Sequence, residues 1–198
     1  MDITLPKTKK AWEKFSRIIT AADNEFFERG YEKTSIANIT AAANIAVGTF
    51  YLYFTDKLSL YHYILFDYQK RIKQYVNSRI ENCKTRKEKE RIGLIAWLEF
   101  INDNPHTYNI IWQSLAIDKS LFVDYYSNFE KSYKRGLEKD KNELIDIDLD
   151  HLSFTLMGIS TFLGLKPMLN NGERLSEEEI NKIADSITTI LSTGLFKK

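Results

Sequence analysis

The sequence predicts an all-α protein: an N-terminal three-helix domain holding a helix-turn-helix (1–56), then a larger helical domain (57–198). Three observations lead there. Apolar residues recur at helical spacing through most of the chain, and no stretch of convincing length alternates with period two. Start and stop signals cut that pattern into helix-sized pieces, among them Gly30, Thr85 with Glu88, Asn104-Pro105, and Ser176 with Glu179. Finally, two short helical segments separated by only a few residues follow Gly30, the spacing of a helix-turn-helix.

In order, residues 1–8 read as a loose arm, with Pro6 delaying the first helix and Lys7, Lys9 and Lys10 following. Such an arm reaches phosphates or a minor groove, or is simply a frayed terminus; the sequence leaves both open. The first helix spans 9–29, with Trp12, Phe15, Ile19, Ala22 and Phe26 as its apolar stripe and Gly30 as its left-handed stop. Thr34 or Ser35 caps a second helix over 36–43. Asn44, the commonest kind of non-glycine residue at positive φ, makes the turn, and a third helix spans 47–54.

Asp56 caps a fourth helix over 57–82, about 40 Å long at 1.5 Å per residue. The Thr85–Glu88 capping box opens 86–103, where the basic run Lys84, Arg86, Lys87, Lys89, Arg91 reads as a solvated face. Pro105 starts a helix ending near 117, and another spans 120–139. After an acidic loop come helices over 149–169 and from Ser176 to about Gly194.

Composition narrows the function. Of 198 residues, 43% are hydrophobic and 28% charged, with a net charge of +1, which argues against a protein that coats nucleic acid. The charge is uneven. Residues 61–91 hold nine basic against four acidic side chains, and residues 92–198 eleven against sixteen. One cysteine, Cys83, excludes an internal disulfide and a cysteine-based zinc site, and it reads as a passive thiol. His62, His106 and His151 are scattered, without ligand spacing, so no metal site is expected. No cofactor loop and no nucleophile–base pair stand out, so no catalytic residues are assigned and an enzyme is not expected. With no long apolar run and no signal-peptide core, a cytoplasmic protein without membrane attachment is expected.

The chemistry concentrates between positions 26 and 60. Phe27, Gly30-Tyr31, Thr34-Ser35-Ile36, Ile39, Ala43, Ile45, Gly48-Thr49-Phe50-Tyr51, Tyr53-Phe54, Lys57 and Leu60 follow one another at fixed spacing. In that order the segment resembles the TetR family of bacterial transcriptional regulators. The resemblance implies a DNA-binding homodimer whose third helix enters the major groove, with Lys57 in the family's phosphate-binding position. Three departures matter. Asn44 replaces the turn glycine, Ala46 replaces the hydroxyl cap of the third helix, and residues 46–55 contain no Lys or Arg. A bidentate Arg-to-guanine contact is therefore missing from this helix, and an A·T-rich operator read partly by shape is expected. The expected contact set is Thr34, Ser35, Ala37, Val47, Gly48, Thr49, Tyr51, Leu52, Tyr53 and Lys57.

The middle helices are rich in rings interleaved with Asn109, Gln113, His106 and His151. A mostly apolar cavity with a few polar fixings suits a small hydrophobic or aromatic effector, here lined by Tyr68, Trp97, Tyr108, Trp112, Tyr125, Phe129, Phe154 and Phe162; ordinary core is the competing reading. The last two helices carry Leu156, Ile159, Leu163, Ile183, Ile187 and Ile190, and the resemblance assigns them to the dimer interface. The expected activity is that of a homodimeric repressor that binds double-stranded palindromic operator DNA and leaves it when the effector binds. The alternative is a ligand-free DNA-organising or adaptor protein on the same fold.

Overall fold

The computed structural model describes residues 3–170 and 172–194. Ten α-helices succeed one another among them: α1 (Lys9–Arg29), α2 (Ile36–Ala42), α3 (Val47–Phe50), α4 (Lys57–Ile80), α5 (Arg86–Asp103), α6 (His106–Ile117), α7 (Lys119–Lys139), α8 (Leu149–Gly164), α9 (Lys166–Leu169) and α10 (Glu177–Thr193). A single 3₁₀ turn, Lys141–Glu143, follows α7. Among the described residues there is no strand, only an isolated antiparallel bridge between Ile3 and Phe54.

Local chemistry sets most boundaries. Thr8 caps α1 by accepting from the Ala11 amide at 3.2 Å. Ser35, not Thr34, caps α2, in a reciprocal box with Asn38. Asp56 accepts from the Ser59 amide at 2.7 Å at the start of α4, and reciprocal boxes open α5 (Thr85, Glu88) and α10 (Ser176, Glu179). Each such cap satisfies amides that the first helical turn leaves without a carbonyl.

Two expected helices are shorter than the sequence suggested. α3 stops at Phe50 instead of 54: the amides of Leu52 and Tyr53 bond three residues back, to Thr49 and Phe50, as tight turns, and the Tyr53 carbonyl accepts from the Thr4 amide at 2.9 Å. The expected helix over 149–169 breaks at Leu165, and Pro167 sits in the short α9 that follows. Pro105 lies just before α6 rather than inside it.

Packing divides the chain into two units. One holds 1–69 and 106–125; the other holds 70–105 and 126–198. The 1–56 and 57–198 division expected from sequence keeps α6 with α4 and apart from α1, to which it also bonds.

In the first unit, Phe15, Ile18, Phe26, Ile39, Phe50, Phe54, Leu60 and Leu65 are fully buried. Phe15 stacks on Phe54 at 5.2 Å and meets Tyr53 edge-on at 5.4 Å, fastening α1 to the chain after α3. The α1 stripe turns slightly from the expected one: Ile18 is buried where Ile19 was expected, and Trp12 is 43% exposed.

In the second unit, Leu94, Ile95 and Leu98 of α5 pack with Leu175, Ile180 and Ala184, and Trp97, Leu163, Ile183 and Ile187 lie against that cluster. The basic run expected on a solvated face is partly inside. Arg86 pairs with Glu90 and with Asp140 (3.5 Å), Lys89 reaches Asp140 at 2.8 Å, and the Tyr133 hydroxyl donates to Glu90 at 2.5 Å. Burial raises the Tyr133 phenol well above its ordinary pKa, so it stays a neutral donor to the Glu90 carboxylate.

Candidate DNA-binding face

The helix-turn-helix forms as its residues dictate. Asn44 takes φ 50°, the one positive φ at a non-glycine residue among those described, and turns the chain between α2 and α3. Ala46 is the N-cap of α3 and, lacking a hydroxyl, makes no side-chain cap bond. Ala37 and Gly48 are exposed, as are Val47 (47%), Tyr51 (55%) and Leu52 (64%), while Thr49 is half-buried. Together with exposed Ser35 they form a face of α2 and α3 that is uncharged and built mainly from small and apolar side chains.

Three of the ten expected contact residues do other work. Thr34 is buried, its hydroxyl within donating distance of the Gly30 (2.9 Å) and Glu25 (3.1 Å) carbonyls. Tyr53 is buried and donates to the Ala11 carbonyl at 3.2 Å, so it secures α1 instead of facing outward. The Lys57 ammonium donates to the carbonyls of Tyr31 (2.7 Å) and Thr34 (2.8 Å) and lies 4.0 Å over the Tyr31 ring. Two of its three N–H groups are thus committed to the turn ahead of α2. The arm, read as loose, is tied down at the Thr4 amide and the Ile3 bridge.

The junction between α1 and α2 is also held from α6, which the sequence reading had assigned elsewhere. Gln113 accepts from the Tyr31 amide at 2.9 Å and donates to the Phe26 carbonyl at 3.1 Å. His106 pairs with Asp23 at 2.7 Å and stacks on Phe27 with ring centroids 4.0 Å apart. Neither residue fixes an effector among rings; both hold α1. His151 is exposed.

The eight expected ring residues divide between the units. In the first, Tyr68, Tyr108 and Tyr125 are buried, Tyr68 donates to Asp23 at 3.0 Å, and Trp112 is 38% exposed beside Phe122. In the second, the Trp97 indole donates to the Ser160 carbonyl at 2.9 Å and meets Phe129 edge-on, and Lys73 lies 5.0 Å over the Phe129 ring. The Tyr126 phenol, also in this unit, is pushed up to about 12 by burial. Phe154 (60% exposed) and Phe162 (70%) depart from the expectation, since both project outward from α8.

The expected dimer residues shift for a related reason. Leu156 is buried, and Leu163, Ile183 and Ile187 pack toward α5, whose apolar stripe claims them; Ile159 is half-buried and only Ile190 is clearly exposed. What remains outside is a different set: Phe154, Phe162, Met168, Leu169, Ile190 and Leu191. By length and composition alone the stretch Leu149–Leu169 is apolar enough to cross a membrane, its most apolar 18 residues having a mean hydropathy of 1.3; the sequence reading had found no such run.

Among the described residues no group of His, Cys, Asp or Glu is placed to hold a metal ion.

Residues 18–64 match the family described as bacterial regulatory proteins, tetR family. The chain is 27% identical over 115 residues to the HTH-type transcriptional regulator YhgD of Bacillus subtilis (strain 168), covering 58% of this chain and 60% of that one. It covers smaller shares, 27% and 35%, of two further curated relatives. The fatty acid degradation regulator FadR from Bacillus halodurans superposes with a TM-score of 0.81 at 17% identity, over 98% of this chain and all of that one. The regulator FadR from Bacillus subtilis, solved in complex with stearoyl-CoA, gives 0.67 at 17% identity, over 92% of this chain and all of that one. At such identity the structural likenesses carry the fold.

Proposed function

We propose that the chain, whose residues 18–64 match the TetR family of bacterial regulatory proteins, works as a homodimeric repressor of that family, released from its operator by a hydrophobic effector. The observation that carries this reading is the exposed α2–α3 face. Ala37, Val47, Gly48, Tyr51 and Leu52 leave a surface without charge that no described residue covers. Val47, Leu52 and Ala37 suit thymine methyl groups, while the Tyr51 hydroxyl, Ser35 and Thr49 suit phosphates. Exposed Lys33, just ahead of Ser35, supplies a positive charge that the committed Lys57 supplies only in part. One recognition helix this short reads few bases, so two copies are needed to reach successive grooves of a palindromic site. They would pair through the outer face of α8 with the end of α10.

Release requires that the effector prefer the conformation in which the two recognition helices are wrongly spaced, because equal affinity for both shifts nothing. The rings of the second unit, Trp97, Phe129 and Tyr126, are the proposed effector contacts, and Phe154 and Phe162 belong to the pairing face instead. A long-chain acyl-CoA is the first effector to try, since a protein of the same fold was solved with stearoyl-CoA.

The test is a gel shift of the purified protein on DNA from its own upstream region, with random competitor and a salt series. Competitor-resistant binding with an A·T-rich footprint is expected, followed by release on adding acyl-CoA. Binding that competitor abolishes at every salt concentration would remove the repressor reading. Retention of DNA at saturating acyl-CoA would remove that effector class.

A further inference from the structure

We infer that Gln113, on α6, is a positioning residue for DNA binding: its side-chain amide latches the end of α1 and so sets where α2 and α3 stand. The inference rests on the DNA-binding reading above and adds a residue of α6, outside the α2–α3 face.

The latch uses the whole amide. One N–H donates to the Phe26 carbonyl (3.1 Å), the other donates to Asn109 one turn earlier on α6, and the oxygen accepts from the Tyr31 amide (2.9 Å). Only one orientation of the amide works, since the flipped one would set oxygen against the Phe26 carbonyl and NH₂ against the Tyr31 N–H. Gly30, at φ 78°, brings Phe26 and Tyr31 to the same side chain by reversing the chain between them.

What Gln113 grips is directly continuous with the helix-turn-helix. The Tyr31 carbonyl and the Thr34 carbonyl both accept from Lys57, and Ser35 is the next residue and the cap of α2. The turn from Gly30 to Ser35 is therefore held on one side by α4 and on the other by α6. His106 lies seven residues before Gln113, two helical turns away on the same face, and makes the second tether of α6 to α1 through Asp23. A shift of α6 along α1 breaks both tethers or carries the turn with it, because each is a directional hydrogen bond at short range.

The experiment compares wild type, Gln113→Leu and Gln113→Glu. It reads affinity for the upstream DNA fragment that wild type binds, thermal melting, and amide exchange at Tyr31. Leu keeps the bulk and removes all three bonds. It should lower operator affinity at least tenfold and speed exchange at Tyr31, with melting lowered by only a few degrees. Glu keeps the acceptor for Tyr31 but sets a carboxylate against the Phe26 carbonyl. Its affinity should be low at neutral pH and recover toward wild type as acid protonates the carboxyl and restores a donor. A residue that served stability alone would show no such pH recovery. Operator binding by Gln113→Leu equal to wild type would overturn the inference and leave the DNA-binding reading standing. Failure of wild type itself to bind any DNA would remove both. Unchanged Tyr31 exchange in Gln113→Leu would show that the latch does not hold the turn.

Discussion

The α2–α3 face and the outer face of α8 are both largely apolar, both uncovered among the described residues, and built in opposite ways. The first is low relief: Ala37, Gly48 and half-buried Thr49 lie among Val47, Tyr51 and Leu52. The second projects: Phe154 and Phe162 stand two turns apart with Gly158 between them. Each face contains a glycine that its own fold does not require. At Gly48 and at Gly158 an added Cβ would meet nothing within 4 Å, and neither takes a positive φ. Alanine would serve each helix better, by roughly 0.5–1 kcal/mol. The difference lies in what the glycine adjoins. Flat relief around Gly48 admits a rigid surface carrying its own polar groups, such as a duplex groove. Large rings around Gly158 need apolar cover, which a second copy of the same face supplies.

The largest expected effect comes from breaking the projecting face. Phe162→Asp places a charge where the proposed pairing is most apolar, and should weaken self-association by about 100-fold or more, the scale of a lost central anchor. Sedimentation across a concentration series reads it, and operator affinity should fall in parallel. Because Phe162 is 70% exposed within the chain, helix content should not change. A wild-type protein that sediments as a monomer at all concentrations would refute the pairing reading outright.

The two glycines sharpen the comparison at the next level of effect. Gly48→Ala should raise the melting temperature slightly and weaken operator binding about tenfold, a cost of roughly 1.4 kcal/mol, without altering self-association. Gly158→Ala should do the reverse, loosening the dimer while leaving DNA affinity unchanged at protein concentrations that keep the dimer whole. If Gly48→Ala binds its operator as tightly as wild type, that face does not approach DNA closely at Gly48.

Where sequence reasoning succeeded and failed follows from distance along the chain. Caps and turns decided within four residues were legible: a hydroxyl cap at Thr34 or Ser35, which falls to Ser35, Thr85 with Glu88, Ser176 with Glu179, and the left-handed Asn44. Partners chosen across the fold were not. Gln113 meets Tyr31 from 82 residues away and His106 meets Asp23 from 83, so composition made both look like pocket fixings. Thr34, Tyr53 and Lys57 sit where a DNA contact was expected, yet each finds a backbone carbonyl inside the chain first. The stripe on α10 was read correctly as apolar, but nothing in Ile183 or Ile187 says that part of each will pack against the α5 cluster within the chain.

The smallest expected effect tests the weakest element of the DNA-binding face. α3 spans four residues behind its N-cap Ala46, whose extended backbone (φ −70°, ψ 144°) is already that of a capping residue; α2 stands behind Ser35, with a similar backbone and a working hydroxyl cap. Ala46→Ser supplies the missing acceptor without moving the chain. A gain of about 1 kcal/mol is expected, which in a chain of this size raises the melting temperature by roughly 2–4 °C. Operator affinity should change by less than about threefold, since the substitution leaves Gly48, Val47 and Leu52 where they are. This separates two kinds of stabilising change on one short helix. Gly48→Ala gains helix stability and loses DNA, because it fills the relief the duplex needs; Ala46→Ser gains it and keeps DNA, because it acts on the helix end. Equal loss of DNA from both would mean that α3 has to stay loosely held to bind, and that its missing cap serves recognition.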